Sequence, residues 1–262
     1  MKNRGAENNH WWSFHHDWQE EVGEVIEEKP LTIYVNGIEL ATIMETPLNQ
    51  DWLAVGFLMN EGILNNVEEI EDLRITSEGC CVDVLLNRTV ELPSKKIITS
   101  GCGGGITYDD PQIDIEPFQI ESITTPENVL LAYKKLQTKD SLYARARGVH
   151  AAGLLDLEGN QLIKVAEDVG RHNTIDKLRG ACLLEGIQTQ GRALLTTGRI
   201  SSEMLRKGAL MGCPVIVSRT SPTSLAVEMA RSWKITLVGY ARHGKLRVYC
   251  YPERLGFKGN SE

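Results

Sequence analysis

RALLTTGRISSEMLRKGALMGCPVIVSR, residues 192–219, decides how the chain folds. RALLTT and PVIVSR are apolar runs of strand length, and the stretch between them reads as a helix from Ser202 to Met211 closed by Gly212. Strands that alternate with helices predict an α/β layer with parallel pairings. The rhythm extends both ways. Downstream, Ser221-Pro222 opens another helix, KITLVGYAR is a strand, and LRVYC is the last strand. Upstream, GVHAAGLLD and QLIKVAED flank the turn residues Glu158-Gly159-Asn160, and a helix runs from Thr174 to Leu184. This unit, residues 126–262, opens at Thr125-Pro126, an N-cap followed by a first-turn proline, with Val129, Leu130, Tyr133 and Leu136 as its buried stripe.

The rest of the chain has a different grammar. The stretch ITYDDPQIDIEPFQIESITTP, residues 106–126, is rich in Pro and Asp without helical periodicity, and residues 111–125 read as a connector. Residues 30–110 read as a smaller α+β unit. LTIYVNGIELATIM alternates around Asn36-Gly37, a two-residue hairpin signal, and NQDWLAVGFLMNEGIL carries Trp52, Val55, Phe57 and Met59 in a helix-length run that closes near Gly62. VDVLLN and KKIITS are further strands, and the unit ends in the loop SGCGGG. Residues 1–29 hold three tryptophans and a histidine pair and read as a flexible tail, either disordered or partner-binding. The fold class is thus α/β (α+β), a larger C-terminal α/β unit with a smaller N-terminal α+β unit.

With 262 residues, 42% of them apolar, the chain can bury a proper core. A formal charge of -7 supplies no global attraction to nucleic acid or to an anionic membrane, so any anion site must be local. The first residues lack an apolar core of signal-peptide length, and no run approaches the roughly 18 apolar residues of a membrane helix. The expected compartment is the cytoplasm, where the six cysteines are reduced thiols.

In open α/β sheets, ligands bind beyond the carboxyl ends of the strands. Here those ends carry Arg171 and Asn173, then Arg199, then Arg219, Thr220 and Ser221, and finally Tyr240, Ala241, Arg242, His243, Gly244 and Lys245. Guanidinium and hydroxyl donors at helix N-termini suit phosphate or pyrophosphate. The alternative is that each Arg pairs with a nearby acid such as Asp168, Asp176 or Glu203. His150 begins His-Ala-Ala, whereas zinc nucleobase deaminases have H-x-E and P-C-x-x-C; with Ala152 in place of the acid and no C-x-x-C, zinc hydrolysis is not expected. His150 reads as a core histidine. Cys80-Cys81 begins a strand-like run, Cys182, Cys213 and Cys250 lie among apolar neighbours, and all of these read as packing. Cys102 differs: four glycines around it leave the sulfur accessible, and glycine amides stabilise a thiolate.

PLTIYVNGIELATIMETP, the SGCGGG loop, AEDVGRHNTIDKLRGA, TGRISSEMLRKGALMG and SPTSLAVEMA together resemble the FdhD/NarQ family of formate dehydrogenase accessory sulfurtransferases, from about Pro30 to Leu255. The resemblance implies a cytoplasmic homodimer whose larger domain has a cytidine-deaminase-like fold without the zinc, and no metal bound directly. It implies a persulfide on Cys102, sulfane sulfur from a cysteine desulfurase, and delivery to molybdenum in the bis(molybdopterin guanine dinucleotide) cofactor for formate dehydrogenase. The family's cofactor segment falls on Tyr240 through Lys245. One position departs: the family loop commonly reads C-G-x-C, and its second cysteine is Gly105 here. The competing reading from another class is a non-catalytic chaperone that binds and hands over the same cofactor.

Overall fold

The two strands of the unit at residues 192–219 form the middle of a six-stranded sheet in a computed structural model, which describes residues 5–76, 79–91, 97–98, 106–107, 115–119, 124–136, 138–158 and 160–259. The strands before the connector are β1 (Ala6–His15), β2 (Asp17–Ile26), β3 (Lys29–Val35), β4 (Ile38–Glu45), β5 (Ile70–Ile75), β6 (Cys81–Leu86), β7 (Ile97–Ile98) and β8 (Ile106–Thr107). After it come β9 (His150–Asp156), β10 (Gln161–Asp168), β11 (Ala193–Thr196), β12 (Val215–Ser218), β13 (Thr236–Arg242) and β14 (Lys245–Cys250). The helices are α1 (Gln50–Asn60), α2 (Pro126–Lys135), α3 (Leu142–Ala146), α4 (Arg171–Leu184), α5 (Ser202–Leu210) and α6 (Ser224–Ser232). The chain is mixed α/β with several sheets.

The main sheet has the order β10-β9-β11-β12-β13-β14. Parallel pairing is confined to β11, β12 and β13, because β9 and β10 form a hairpin and β14 turns back on β13. Strand alternation sorts the core onto its two faces. Leu194 and Ile216 pack with Ile175, Leu178, Met204 and Leu205 on the side of α4 and α5. Ala193, Leu195, Val215 and Val217 pack with Val129, Ala132 and Leu136 of α2 on the other. The second sheet, β4-β3-β6-β5, packs Leu31, Ile33, Val82 and Val84 against Leu53, Phe57 and Leu58 of α1. Its β3–β4 hairpin turns at Asn36 and Gly37, φ 52° and 76°, the angles of the turn that the sequence signalled.

Helices α1 and α4 hold the two sheets together, and buried charges brace their joint. Lys177 Nζ lies 2.8 Å from Glu45 Oε2 and 2.6 Å from Asp168 Oδ2. Lys207 Nζ bonds Asp176 at 2.8 and 2.7 Å, while Asn60 Nδ2 donates to Asp176 Oδ1. A buried charge needs such a partner, since an unpaired one loses its hydration with nothing in return.

Several local readings change. The stretch 1–29, expected as a tail, contains the two-stranded ribbon β1–β2, paired from Ala6↔Ile26 to His15↔Asp17. Helix α4 starts at Arg171, three residues before Thr174. Helix α6 is capped by Thr223, whose side chain accepts from Ala226 N, instead of beginning at Ser221-Pro222; Pro222 is engaged in a bridge to Ile200. Thr125 caps α2 with Pro126 in its first turn, as the sequence predicts. Cys182, Cys213 and Cys250 are buried, but Cys80 is exposed because it sits in the bend between Gly79 and β6. Cys102 lies outside the described residues, in the segment that joins β7 to β8.

Candidate functional site

Strand β9 runs antiparallel to both β10 and β11, so β10, β11, β12 and β13 all point the same way. Their carboxyl ends meet along one rim with the first residues of β9 and β14. Hydrogen bonds tie the loops of this rim into one frame. Ser218 Oγ donates to Gly198 O at 2.6 Å and accepts from Thr220 N at 3.0 Å. Thr223 N donates to Ile200 O and Tyr240 N to Thr220 O.

The frame presents cations. Arg219 is half-buried, while Arg199, Arg242, Lys245 and Arg247 are exposed. The acids that might have neutralised them are taken: Asp168 holds Lys177, Asp176 holds Lys207, and Glu203 faces His172. Among the described residues no carboxylate lies within ion-pair distance of Arg199, Arg219, Arg242, Lys245 or Arg247. Two cavities open beside each other here and share Arg242 and His243. One, about 280 Å³, is closed by Leu130, Tyr133 and Lys134 of α2 together with Arg219. The other, about 480 Å³, is lined by Tyr240, Lys245, Leu246 and Arg247. The Tyr240 ring has the Arg247 guanidinium 4.4 Å and the Arg242 guanidinium 5.9 Å from its centroid. Tyr240 and His243 adopt left-handed backbone, φ 53° and 52°, and Gly244 completes the turn at φ 72°. Such a turn lets Arg242 and Lys245 pair at the end of the β13–β14 ladder and hold both cations on one side of the rim.

Behind the cations lies a buried polar layer. His172 Nε2 stands 3.5 Å from Glu203 Oε2, with both residues over nine-tenths buried and neither atom hydrogen-bonded. Burial, then the charges of Lys207 and Arg171, push the His172 imidazole down to about 3, so the ring is neutral. His150, read as a core residue, is half-buried and reaches Thr197 Oγ1 with Nδ1 at 3.2 Å; burial lowers its pKa too. Among the described residues no three His, Cys, Asp or Glu side chains gather as a metal site.

Not every predicted residue faces a ligand. Asn173 is buried, and its amide donates to Met44 O and Asp168 Oδ1, both at 2.8 Å, so it braces the rim. Ala241 is buried and lines the smaller cavity. Arg171 lies across Gly198, where a Cβ would come within 2.8 Å of its own Cβ. Helix α4 has Gly170 at its N-cap with no side-chain cap. The sequence reading missed Tyr133, Lys134 and Arg247. Only the packing of α2 on the sheet, and the pairing of β14, bring them to the rim.

The chain is thus mixed α/β, with a cationic rim and two adjoining cavities beyond the strand ends, where open α/β sheets hold their ligands. The profile of the FdhD/NarQ family matches residues 26–256, and the chain belongs to that family. The protein named sulfur carrier protein FdhD from Staphylococcus haemolyticus is 38% identical over 236 residues, covering 88% of this chain and 89% of that one. Its namesake from Bacillus subtilis is 35% identical over 251 residues, covering 91% and 95%. A crystal structure of a candidate formate dehydrogenase accessory protein from Desulfotalea psychrophila superposes with a TM-score of 0.79 at 27% identity, over 96% of this chain and 99% of that one.

Proposed function

We propose that this chain is a sulfur carrier that takes sulfane sulfur onto Cys102 from a cysteine desulfurase and passes it to the molybdenum of a bis(molybdopterin guanine dinucleotide) substrate bound on the rim, for use by formate dehydrogenase. The observation that carries the reading is the pair of cavities sharing Arg242 and His243, lined by guanidiniums that have no carboxylate partner among the described residues. Family membership, and relatives named as sulfur carriers, supply the direction of the chemistry.

Each residue then has a task. Arg199, Arg219, Arg242, Lys245 and Arg247 neutralise phosphate oxygens, and Thr220 and Ser221 supply hydroxyl donors. The Tyr240 ring, which lines the larger cavity beside the Arg247 and Arg242 guanidiniums, gives a nucleobase a surface to stack on. Cys102 acts as thiolate: its sulfur attacks the outer sulfur of the donor persulfide, the S–S bond of the donor breaks, and the desulfurase thiolate leaves. Sulfane sulfur moves by exchange, with no net oxidation. In the second transfer the S–S bond of the Cys102 persulfide breaks, its electron pair stays on the Cys102 sulfur as thiolate, and the outer sulfur bonds to the bound substrate, which supplies the two electrons of the new bond; one thiol therefore suffices although Gly105 replaces the usual second cysteine. The resemblance further assigns a cytidine-deaminase-like fold to the larger unit, a homodimer and a cytoplasmic home. No helix among the described residues is long and apolar enough to cross a membrane.

Intact mass after incubation with a cysteine desulfurase and cysteine tests the reading. One added sulfur atom that is lost in Cys102→Ala is the expected result. A chain that gains no sulfur yet still binds guanine nucleotide is a cofactor chaperone, and sulfur carriage is overturned.

A further inference from the structure

Cys80 and Cys81 hold their sulfurs 3.7 Å apart on the second sheet, outside the rim. Neighbouring residues of a strand point to opposite faces, so a regular strand would part these two side chains. Here β6 begins only at Cys81, and Cys80 lies in the bend that follows Gly79, φ 67°, which brings its side chain round to that of Cys81. Hydrogen bonds fix the bend. Thr32 N donates to Cys80 O at 2.9 Å, Thr76 N to Cys81 O at 3.1 Å and Cys81 N to Thr76 Oγ1 at 3.2 Å, while Gln50 Nε2 donates to Gly79 O at 3.3 Å. The two thiols are poorly placed to bond each other. Consecutive Cα atoms stand about 3.8 Å apart, below the roughly 4.4–6.8 Å of disulfides, and the sulfurs would have to close to about 2.05 Å. Cys80 is exposed and Cys81 half-buried, so a solute can reach the pair.

We propose that the two sulfurs, as thiolates, chelate one zinc ion. Two zinc–sulfur bonds of about 2.3 Å that meet at the tetrahedral angle hold their sulfurs about 3.8 Å apart. The pair already stands at that separation, so no rearrangement of the backbone is needed. Charge favours a cation as well. Tyr34 pairs with Glu39 of β4 on one side and with Asp83 of β6 on the other, and Asp83 shares the face of Cys81 by the strand period, so both acids lie on the face that carries the Cys81 thiol. Arg74, opposite Asp83, spends its guanidinium on Asp72 at 2.7 Å. Among the described residues no third His, Cys, Asp or Glu side chain joins the pair, so water fills the other two positions of the tetrahedron. The site is therefore open and exchangeable, and weaker than a structural site with four protein ligands. Binding displaces the thiol protons and strengthens as pH rises. A bound ion also withdraws both thiols from oxidation and exchange, because the sulfur lone pairs that would attack are the ones that bond the metal. Neither Cys102 nor sulfur transfer enters the inference, and its test measures neither.

Titration of the metal-free full chain with cadmium chloride, in a phosphine reductant and followed by the ultraviolet charge-transfer band of cadmium–thiolate bonds, provides the test. Cadmium is an optical stand-in for zinc, with the same filled d shell and preference for thiolate. The band should saturate at one cadmium per chain and be suppressed by excess zinc. Cys80→Ser with Cys81→Ser should abolish it, and each single variant should need at least about tenfold more cadmium, because one thiolate cannot chelate. Cys102→Ala should titrate as the parent. A second reading needs no variant: zinc should slow alkylation of Cys80 by iodoacetamide in the parent chain, as found by peptide mapping. A chain without the band overturns the proposal. A band that survives in the double serine variant, or that is lost in Cys102→Ala, assigns the metal to other thiols and overturns it too, as does alkylation of Cys80 at an unchanged rate in zinc.

Discussion

Gly56 of α1 and Gly180 of α4 stand so close that a Cβ on Gly56 would lie 1.8 Å from the Asp176 carbonyl oxygen, and one on Gly180 would lie 1.9 Å from that of Trp52. The two helices touch backbone to backbone, and this contact joins the sheet that carries the rim to the sheet that precedes it. The buried ions Lys177, Glu45 and Asp168 sit at the same joint. Its tolerance to substitution and to pH follows from that crowding.

Alanine is intrinsically the better helix former by about 1 kcal/mol. Gly56→Ala and Gly180→Ala should nevertheless each destabilise the fold, by on the order of 3 kcal/mol, because the added methyl meets a carbonyl that cannot move without parting the helices. Urea unfolding measures it. Unchanged or raised stability in both variants would show that the helices are not in contact at this point.

Glu45 has its pKa raised to about 7 from the ordinary carboxyl value of 4.5, chiefly by burial, with Lys177 opposing. A carboxyl that holds its proton more tightly when folded stabilises the fold below its unfolded pKa, and that contribution disappears as pH rises through the folded value. His172, lowered to about 3, works in the opposite sense, losing stability as pH falls below about 6.5. The Glu45 contribution is isolated by comparing the parent with Glu45→Gln between pH 5 and pH 8, a difference of up to about 3 kcal/mol. Parallel stability curves for the two proteins would exclude titration of Glu45 in this window.

GDP should raise the melting temperature by binding only the folded chain, and added salt should weaken the effect. Arg242→Ala should reduce the GDP shift most, since Arg242 borders both cavities, and Arg247→Ala should reduce it less. Thermal shift titrations decide this. An undiminished GDP shift in Arg242→Ala removes the rim as the nucleotide site.

Cys102→Ala should keep the fold and abolish activation of formate dehydrogenase, while Cys80→Ser with Cys81→Ser should keep most sulfur transfer. The Cys80 and Cys81 sulfurs lie 3.7 Å apart, and burial together with Cys80 and Glu39 raises the Cys81 pKa, which keeps that thiol protonated and a poor nucleophile. Loss of transfer in a folded Cys80, Cys81 double variant, or a crosslink from either thiol to Cys102 during turnover, defeats the one-thiol scheme.

The sequence by itself determined the elements that local physics controls. Thr125-Pro126 started α2, Asn36-Gly37 turned the first hairpin, and runs such as ALLT and VIVS declared buried strands, because caps, turns and strand alternation act within a few residues. The Arg residues at successive strand ends were legible for the same reason, since strand direction in a helix-connected sheet sends those loops to one rim. Tertiary structure alone decided what crosses from element to element. The Gly56 to Gly180 contact joins residues over a hundred positions apart, and no periodicity in either helix announces it. Asn173, which reads as a ligand donor, spends its amide on Met44 and Asp168 because the first sheet arrives beside it. Tyr133 and Lys134 reach the smaller cavity because α2 lies across the sheet, and the Trp-rich start becomes a ribbon because its two halves pair with each other. Local sequence sets what each segment prefers; which polar groups remain for a ligand depends on which distant partners packing has already satisfied.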